Sequence, residues 1–377
     1  MKEWNLLNIY TVGILLTILM VILFAAPRFI RIKKSSGILV EETAEKKIIA
    51  CFFILFWGTL AAFRNLNVGT DTSNYSNIFL RIANTNWSQI KYDVEFDKFP
   101  LYIIYNKFIS LITRNPNAIT VFNSYIIVLG TILFLYYNSK NFGVSVICFL
   151  VLQYYFLSMN IARESMAVMF TLWVFHFARR DKWIRSLIFC LIAFFIHRTA
   201  ILSIAIFFIA LIGRTKKSAV TLVLIGSALI VFFIPLASFC IRFFPQYADY
   251  LNRDQAFSLF NNSSNGRRKY TAIFLFGIFL LTWLLSGNKK KHTEKLYWQY
   301  LTLTLLAIEL MIVHSRNDLM ARLELYFTYF FMLSLPYAIE EVKDHKSRMI
   351  LYIGLISVLL VPCLLNLKDY LPYMTSF

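Results

Sequence analysis

The sequence predicts an all-α protein, a polytopic integral membrane helix bundle with about twelve transmembrane helices. Hydrophobic residues make up 59% of the 377 residues, and charged residues make up only 15%. Apolar runs of about 15 to 25 residues recur along the chain, a length that suits helices crossing a bilayer. Because lipid offers no hydrogen-bond partners, each span must satisfy its own backbone groups, as a helix does. The alternation typical of membrane β-strands is absent.

The predicted helices follow the apolar runs in order. They cover residues 5–26, 48–64, 118–138, 143–159, 161–178, 183–197, 198–213, 219–243, 270–287, 296–314, 321–339 and 348–366. No tandem repeat and no Pro- or Gly-rich linker divides the chain. We therefore predict a single membrane domain over residues 1–377.

The basic loops predict the orientation, because Lys and Arg accumulate on the cytoplasmic side of membrane proteins. With twelve crossings and both ends outside, five basic loops become cytoplasmic together. They are residues 28–47, 179–185, 214–217, 289–295 and 343–348. Two long outer loops then remain, at about 65–117 and 244–269. Residues 99–113 are apolar, but a crossing there would move later basic loops outside, so we predict a re-entrant or interfacial helix.

The charge balance indicates the kind of ligand. The formal net charge is +18, and only just over half of the 38 Lys and Arg residues lie in or beside the cytoplasmic loops. Arginines clustered on the outer side indicate an anionic ligand such as phosphate. Nucleic acid is a poor alternative, because the basic residues are divided between two faces of a membrane.

Polar residues from distant parts of the sequence converge on the outer side in this arrangement. They are Arg64, Asp71, Tyr75, Glu95, Arg163, Glu164, His197, Arg198, Arg316, Arg322 and Tyr326. Polar groups at membrane depth usually have a function. The simplest arrangement that uses them together is an outward-facing cavity.

Each of these residues also has a structural interpretation. Arg64 could extend to lipid headgroups, and Asp71 could cap a helix that begins one residue later. Arg163 and Glu164 could form an ion pair, but adjacent helix residues point about 100° apart, so Glu164 could instead pair with another helix. His197 could be an interfacial histidine, or it could bind phosphate or transfer a proton.

Other chemistries leave no motif in the sequence. There is no phosphate-binding P-loop, no nucleophile elbow and no histidine pair with metal-ligand spacing. We therefore expect neither a metal nor a cofactor.

Several short motifs occur in a characteristic order across residues 64–327. They are Phe63-Arg64, Gly69-Thr70-Asp71 with Tyr75, Glu95 before Pro100-Leu101-Tyr102, Ile161-Ala162-Arg163-Glu164, Phe195-Ile196-His197-Arg198-Thr199-Ala200, and Arg322 with Tyr326-Phe327. This ordered set resembles the EpsG/Wzy family of bacterial exopolysaccharide and O-antigen polymerases. The sequence departs from many relatives at Glu164, where they place Gln.

The resemblance implies a multi-pass glycosyltransferase in the bacterial cytoplasmic (inner) membrane, with its active site on the extracytoplasmic side. It would join oligosaccharide repeat units carried on undecaprenyl diphosphate, for O-antigen, capsule or exopolysaccharide. Its partners would be these lipid-linked oligosaccharides, membrane lipids and, where one exists, a chain-length regulator.

The resemblance also implies roles for the matching residues. Arg163 and Arg322 would grip the diphosphate, because a guanidinium donates two parallel hydrogen bonds and stays charged. The supporting substrate-binding residues would be Arg64, Tyr75, His197, Arg198 and Tyr326. Asp71 or Glu95 would act as general base toward the acceptor hydroxyl, with Asp71 slightly preferred on motif grounds. A reaction driven by positioning alone, without a base, stays open.

Other functions compete with this one. A flippase for lipid-linked oligosaccharides also needs many helices and a basic cavity, but the motifs gather at one face and no half-to-half repeat occurs. An O-antigen ligase would share nearly the same diphosphate grip. An acyltransferase would have only His197 and Arg198 in its favour, and a purely structural scaffold would not account for the outer arginines.

Overall fold

A computed structural model describes residues 8–31, 38–232, 271, 273–282, 295–313, 318–370, 373 and 375. Within these ranges the chain forms α-helices joined by turns and short 3₁₀ segments, and it contains no β-strand. Its one β-bridge joins Arg64 to Thr375. The all-α prediction is therefore confirmed for the described residues.

Sixteen helices in the described ranges are numbered here in chain order. They are α1 (Ile9–Arg31), α2 (Ile38–Ala62), α3 (Thr72–Asn84), α4 (Pro100–Ile112), α5 (Ala118–Asn138), α6 (Phe142–Val151), α7 (Tyr154–Asn160), α8 (Ala162–Ala178), α9 (Trp183–Ile196), α10 (Ser203–Ile212), α11 (Lys216–Val231), α12 (Ile273–Thr282), α13 (Lys295–Val313), α14 (Asp318–Thr328), α15 (Phe331–Glu340) and α16 (His345–Asn366).

Two of the described helices, α5 and α16, are each long and apolar enough to cross a membrane. The pair α6 and α7 makes a third candidate if the two helices form one bent span. The predicted total of twelve spans, their sidedness and the outward-facing cavity stay predictions. The predicted outer loop 244–269 lies outside the described residues.

The predicted helix 143–159 is wrong in one respect, because it breaks into α6 and α7 with a bend of 48°. Gln153 begins α7 with a left-handed backbone, at φ 68°. Its side-chain amide donates to Pro362 O at 3.1 Å and accepts from Asn366 Nδ2 at 3.2 Å. Helix α16 therefore satisfies the polar groups of the break, which lets a bent helix persist here.

The predicted outer loop 65–117 contains more helix than the sequence indicated. The apolar segment 99–113 forms α4, as predicted, but α3 and a 3₁₀ turn at Trp87–Tyr92 precede it. Helix α3 packs against α4. Lys107 on α4 donates to three carbonyls at the end of α3, the shortest bond being 2.6 Å to Thr85 O. A lysine inside an apolar run therefore has a structural role as a helix cap.

The described residues divide into two compact units. The first takes in Met1–Trp173, Ile188–Arg198 and Tyr352–Phe377, and the second takes in Val174–Leu187 and Thr199–Leu351. In the first unit, α2 packs against α5. In the second unit, α13 packs against α11 and α14, and Ser227 donates to both oxygens of Glu309 at 2.7 and 2.9 Å. The single membrane domain stays a prediction.

Candidate active site

Arg163 lies in the first turn of α8. Its guanidinium carbon is 3.5 Å from the ring centroid of Phe99 and 5.5 Å from that of Tyr102. Its Nη1 lies 3.5 Å from Glu95 Oε1, and the side chain is 15% exposed. The buried Nε has no hydrogen-bond partner among the described residues. A partly exposed guanidinium with a long contact to its one carboxylate partner is suited to bind an anionic group.

Glu95 lies between two arginines. Its Oε1 faces Arg163, and its Oε2 lies 3.4 Å from Arg81 Nη2. Arg81 also donates to both oxygens of Asp93, at 2.8 and 3.1 Å. Asp93 Oδ1 in turn accepts the backbone N–H of Glu95 at 2.9 Å. Arg81 and Asp93 therefore fix Glu95, whose contact with Arg163 is long for a charged hydrogen bond.

Glu164 points away from Arg163 and toward His197. Its Oε1 lies 3.9 Å from His197 Nδ1, and both side chains are buried. The imidazole ring stacks on Phe99, with centroids 5.2 Å apart. Because adjacent helix residues point about 100° apart, α8 presents Arg163 to Glu95 and Glu164 to another helix end. Phe99 contacts both Arg163 and His197, so these two predicted residues belong to one cluster.

Asp71 and Tyr75 lie at the start of α3. Asp71 is the residue before the helix, but its side chain makes no capping hydrogen bond to α3. Its backbone carbonyl accepts from Tyr75 N at 3.1 Å. Tyr75 OH accepts the backbone N–H of Arg163 at 3.4 Å. Burial raises the pKa of the Tyr75 phenol, although the nearby Arg163 partly offsets this. The neutral phenol therefore supports the first turn of α8.

Arg64 is buried, and its guanidinium binds groups of the protein. It donates to Ser124 Oγ at 3.0 Å, to Met159 O at 3.0 Å and to Thr72 Oγ1 at 3.3 Å. It also donates to Ala61 O. Only one of its five N–H groups is then left over. These donors hold the chain just before α8, and a substrate contact of Arg64 stays a prediction.

Gly69 brings the loop before α3 against the end of α7. It has φ +90°, and a Cβ added there would lie 2.8 Å from Asn160 Oδ1. The same oxygen accepts Thr70 N at 3.0 Å. Glycine is required at this position, because other residues are strained at this φ and the approach is close. The Gly69-Thr70-Asp71 motif and the Arg163 motif are therefore joined through Asn160.

Residues that follow α16 form hydrogen bonds with the end of α2, the loop after it and the end of α7. Asn160 Nδ2 donates to Tyr370 OH at 3.0 Å, and Tyr373 OH donates to Leu60 O at 3.2 Å. Asn65 Nδ2 donates to Thr375 O at 3.3 Å. The segment that positions Arg163 is thus held from both early and late parts of the chain.

Arg198 supports the turn that carries Glu95 and Phe99. Its Nη2 donates to Asp97 O, and its guanidinium carbon lies 4.6 Å from the ring centroid of Phe194. The turn itself is closed by a hydrogen bond from Phe99 N to Glu95 O at 2.9 Å. Arg198 therefore has a positioning contact, and its direct contact with substrate stays a prediction.

Sequence reasoning missed several polar neighbours of the site. Two of these neighbours are Arg81 and Asp93. The sequence feature that could have indicated them is the Asp-x-Glu spacing of Asp93 and Glu95. The others are on α4 and α5, where Asn123 Nδ2 donates to Tyr102 OH at 3.0 Å. Asn106 Oδ1 and Asn123 Oδ1 are buried without a partner among the described residues. The signal for Asn106 was the polar interruption of the apolar run 99–113.

Arg322 and Tyr326 lie on α14, in the second compact unit. Tyr326 is fully buried, and its hydroxyl lies 3.0 Å from Thr199 Oγ1. Arg322 is half-buried. The structure thus joins the motifs that contain Thr199 and Tyr326. A common contact of Arg322 and Arg163 with one diphosphate stays a prediction, and Arg316 lies outside the described residues.

Within the described ranges, no three His, Cys, Asp or Glu side chains come close enough together to hold a metal ion. The charged groups around Arg163 form ion pairs and hydrogen bonds. Arginines are the groups there that can bind an anion.

The comparison with protein families identifies the family of the chain. The model of the EpsG family matches residues 47–375, nearly the whole chain. Neither the comparison with curated proteins nor that with solved structures returned a match. The matched range contains every candidate residue from Arg64 to Tyr326.

Proposed function

Because the chain belongs to the EpsG family, a Wzy-type polymerase family, we propose that it polymerises oligosaccharide repeat units linked to undecaprenyl diphosphate. Its apolar helices and its family make it a membrane protein of polysaccharide biosynthesis. The reaction takes place at the outer face of the bacterial cytoplasmic membrane. The observation that carries the proposal is Arg163, a partly exposed guanidinium with a long contact to one carboxylate.

In the reaction, an acceptor sugar hydroxyl of one lipid-linked repeat attacks the anomeric carbon of the growing glycan. A glycosidic bond forms, the bond to the diphosphate breaks, and undecaprenyl diphosphate leaves. Arg163 binds the diphosphate oxygens and stabilises the negative charge that develops on them. The same arginine also orients the diphosphate, since its planar fork donates two parallel hydrogen bonds. No metal ion has a role in this scheme.

Glu95 is the base that the geometry favours, because its carboxylate already lies beside Arg163. It accepts the proton of the attacking hydroxyl. When the diphosphate binds Arg163, Glu95 keeps its contact with Arg81 and is released from Arg163. Asp71 stays the alternative base. A Glu95→Gln variant with full activity would remove the base from the scheme and leave the polymerase assignment standing.

The test uses a strain that lacks this protein, with the length distribution of its surface glycan followed on a gel. Wild type should restore the ladder, and Arg163→Ala should leave a single-repeat band at equal membrane abundance. Arg185→Ala is the matched control, because Arg185 is an exposed arginine in a predicted cytoplasmic loop. A normal ladder from Arg163→Ala would reject the role of Arg163.

The same gel separates the competing functions. Loss of the single-repeat band in the deletion strain would indicate a flippase, because nothing would then reach the surface. A normal ladder on the lipid carrier that is not transferred to its final acceptor would indicate a ligase. Either result would overturn the polymerase assignment.

A further inference from the structure

Helix α4 carries an exposed apolar face. It consists of Leu101, Ile104, Tyr105, Phe108, Leu111 and Ile112, which recur at intervals of three and four residues and so share one side of the helix. Exposure rises along it, to 58% at Phe108, 63% at Leu111 and 75% at Ile112. The opposite side, with Tyr102, Ile103, Asn106 and Ile109, is buried.

One end of this apolar face adjoins the candidate active site. The Arg163 guanidinium carbon lies 3.5 Å from the ring centroid of Phe99, the residue that precedes α4. Leu101, the first member of the apolar face, follows two residues later. From Leu101 to Ile112 the helix rises about 17 Å. A molecule with an anionic head at Arg163 and an apolar chain could follow this path.

The other end of the face is bordered by Trp87. Its ring meets that of Phe108 edge to face at 5.4 Å, and it is half-exposed. Tryptophan favours the boundary between the hydrocarbon core and the headgroups. Helix α4 has 13 residues, about 20 Å in length, which is shorter than a hydrocarbon core of about 30 Å. The apolar face is therefore not that of a complete transmembrane helix.

We propose that the apolar face of α4 binds the polyprenyl chain of the lipid-linked substrate whose diphosphate contacts Arg163. The inference rests on the proposed polymerase function. The bound molecule is the substrate lipid, because its diphosphate head and its polyprenyl chain are covalently linked. Once the diphosphate is at Arg163, the first isoprene units lie near Leu101, at the start of the apolar face.

The test compares two repeat-unit diphosphates with the purified protein, one on an undecaprenyl chain and one on a short farnesyl chain. Wild type should prefer the long chain. The double variant Leu111→Asn with Ile112→Asn should lower kcat/KM for the long chain roughly tenfold through KM, and leave the short chain unaffected. Leu224→Asn with Ile225→Asn is the matched control, an equally adjacent and exposed pair on α11.

The outcomes separate the two proposals. No polymer from wild type with either substrate would overturn the polymerase function itself. Polymer formation with an unchanged chain-length preference in the α4 variant would overturn the binding face alone. An equal loss in the α11 control would also overturn it, since the effect would then not belong to α4.

A second measurement does not depend on turnover. Undecaprenyl diphosphate that carries a photoreactive group near its head should label peptides of α4 in wild type. Equal labelling by a photoreactive phospholipid would identify the face as a site for bulk lipid. Protection of the face by cross-linked dimers would identify it as a contact between two copies of the chain. Either of these results contradicts the proposal.

Discussion

Arg64 and Arg163 are two arginines of one structural unit with opposite surroundings. Arg64 is buried and donates to Ala61, Thr72, Ser124 and Met159. Arg163 keeps an unpartnered Nε, partial exposure and a long contact to one carboxylate. From sequence the two looked alike, since each lies at the end of an apolar run.

The comparison shows that the partners of an arginine, more than its position, indicate what it does. A guanidinium whose donors are satisfied by fixed protein groups holds structure together, because any ligand would have to replace those bonds. One that keeps a free donor and an exchangeable counter-ion is prepared for an incoming anion. The four predictions below test this contrast between a framework arginine and a ligand-binding arginine.

The largest expected effect is the loss of catalysis in Arg163→Ala. Removal of one strong electrostatic contact from a transition state lowers kcat roughly 100- to 1000-fold, or about 2.7 to 4 kcal/mol. The variant should melt at nearly the wild-type temperature, because few protein groups depend on this guanidinium. Turnover of purified protein and thermal unfolding in detergent measure both quantities. A large fall in melting temperature would show that Arg163 stabilises the fold as Arg64 does, which contradicts the contrast between them.

Arg64→Ala should instead destabilise the protein. Met159 O and Ser124 Oγ lose a buried donor, and each unpaired buried group costs about 1 to 3 kcal/mol, so we expect a loss of about 2 to 6 kcal/mol. Thermal unfolding and the yield of folded protein report it. Activity should fall only as far as the folded fraction falls. Full stability with lost activity would reverse the assignment.

Gly69→Ala tests the contact between the Gly69-Thr70-Asp71 motif and the end of α7, which leads into the Arg163 motif. The positive φ and the 2.8 Å approach to Asn160 Oδ1 should make this substitution lower the free energy of unfolding by about 1 to 3 kcal/mol. Gly354→Ala is the control, because a Cβ at Gly354 meets nothing within 4 Å in helix α16, and alanine there should add roughly 0.5 to 1 kcal/mol. Equal changes in stability for Gly69→Ala and Gly354→Ala would show that the contact between Gly69 and Asn160 is not tightly packed.

The smallest effect concerns Arg81, whose side chain is partly exposed. Arg81→Gln should lower kcat/KM only a few-fold, since exposed ion pairs contribute up to about 1 kcal/mol. The effect should vanish in a Glu95→Gln background, because Arg81 acts through Glu95. The cycle of four variants measures this coupling. Additive losses would give Arg81 a role independent of Glu95.

Much of the helical framework followed from apolar runs alone. Helix α5 begins and ends at the predicted residues 118 and 138, since a continuous apolar run with polar ends defines its own limits. The break at Gln153 could not be predicted, because it depends on contacts with Pro362 and Asn366, more than 200 residues away. For α3 the sequence indicated only a possible start after Asp71, because the exposed side of this helix is polar and its composition resembles a loop.

The site was predictable as a set of residues but not as a set of contacts. Arg163, Glu95 and His197 do lie around Phe99. The separation of Arg163 from Glu164 followed from helix geometry alone. That Arg64 would donate to four protein groups, and that Arg81 would hold Glu95, depended on how α3, α5 and α7 pack. Tertiary packing has no local signature in sequence.

The contacts of residues 370–375 also set the order of events in the life of the protein. Asn65 and Thr375 are 310 residues apart in the chain, so their pairing must wait until the ribosome has made almost everything between them. Contacts of such separation form late and slowly. The framework that holds Arg163 is therefore complete only after this late contact has formed.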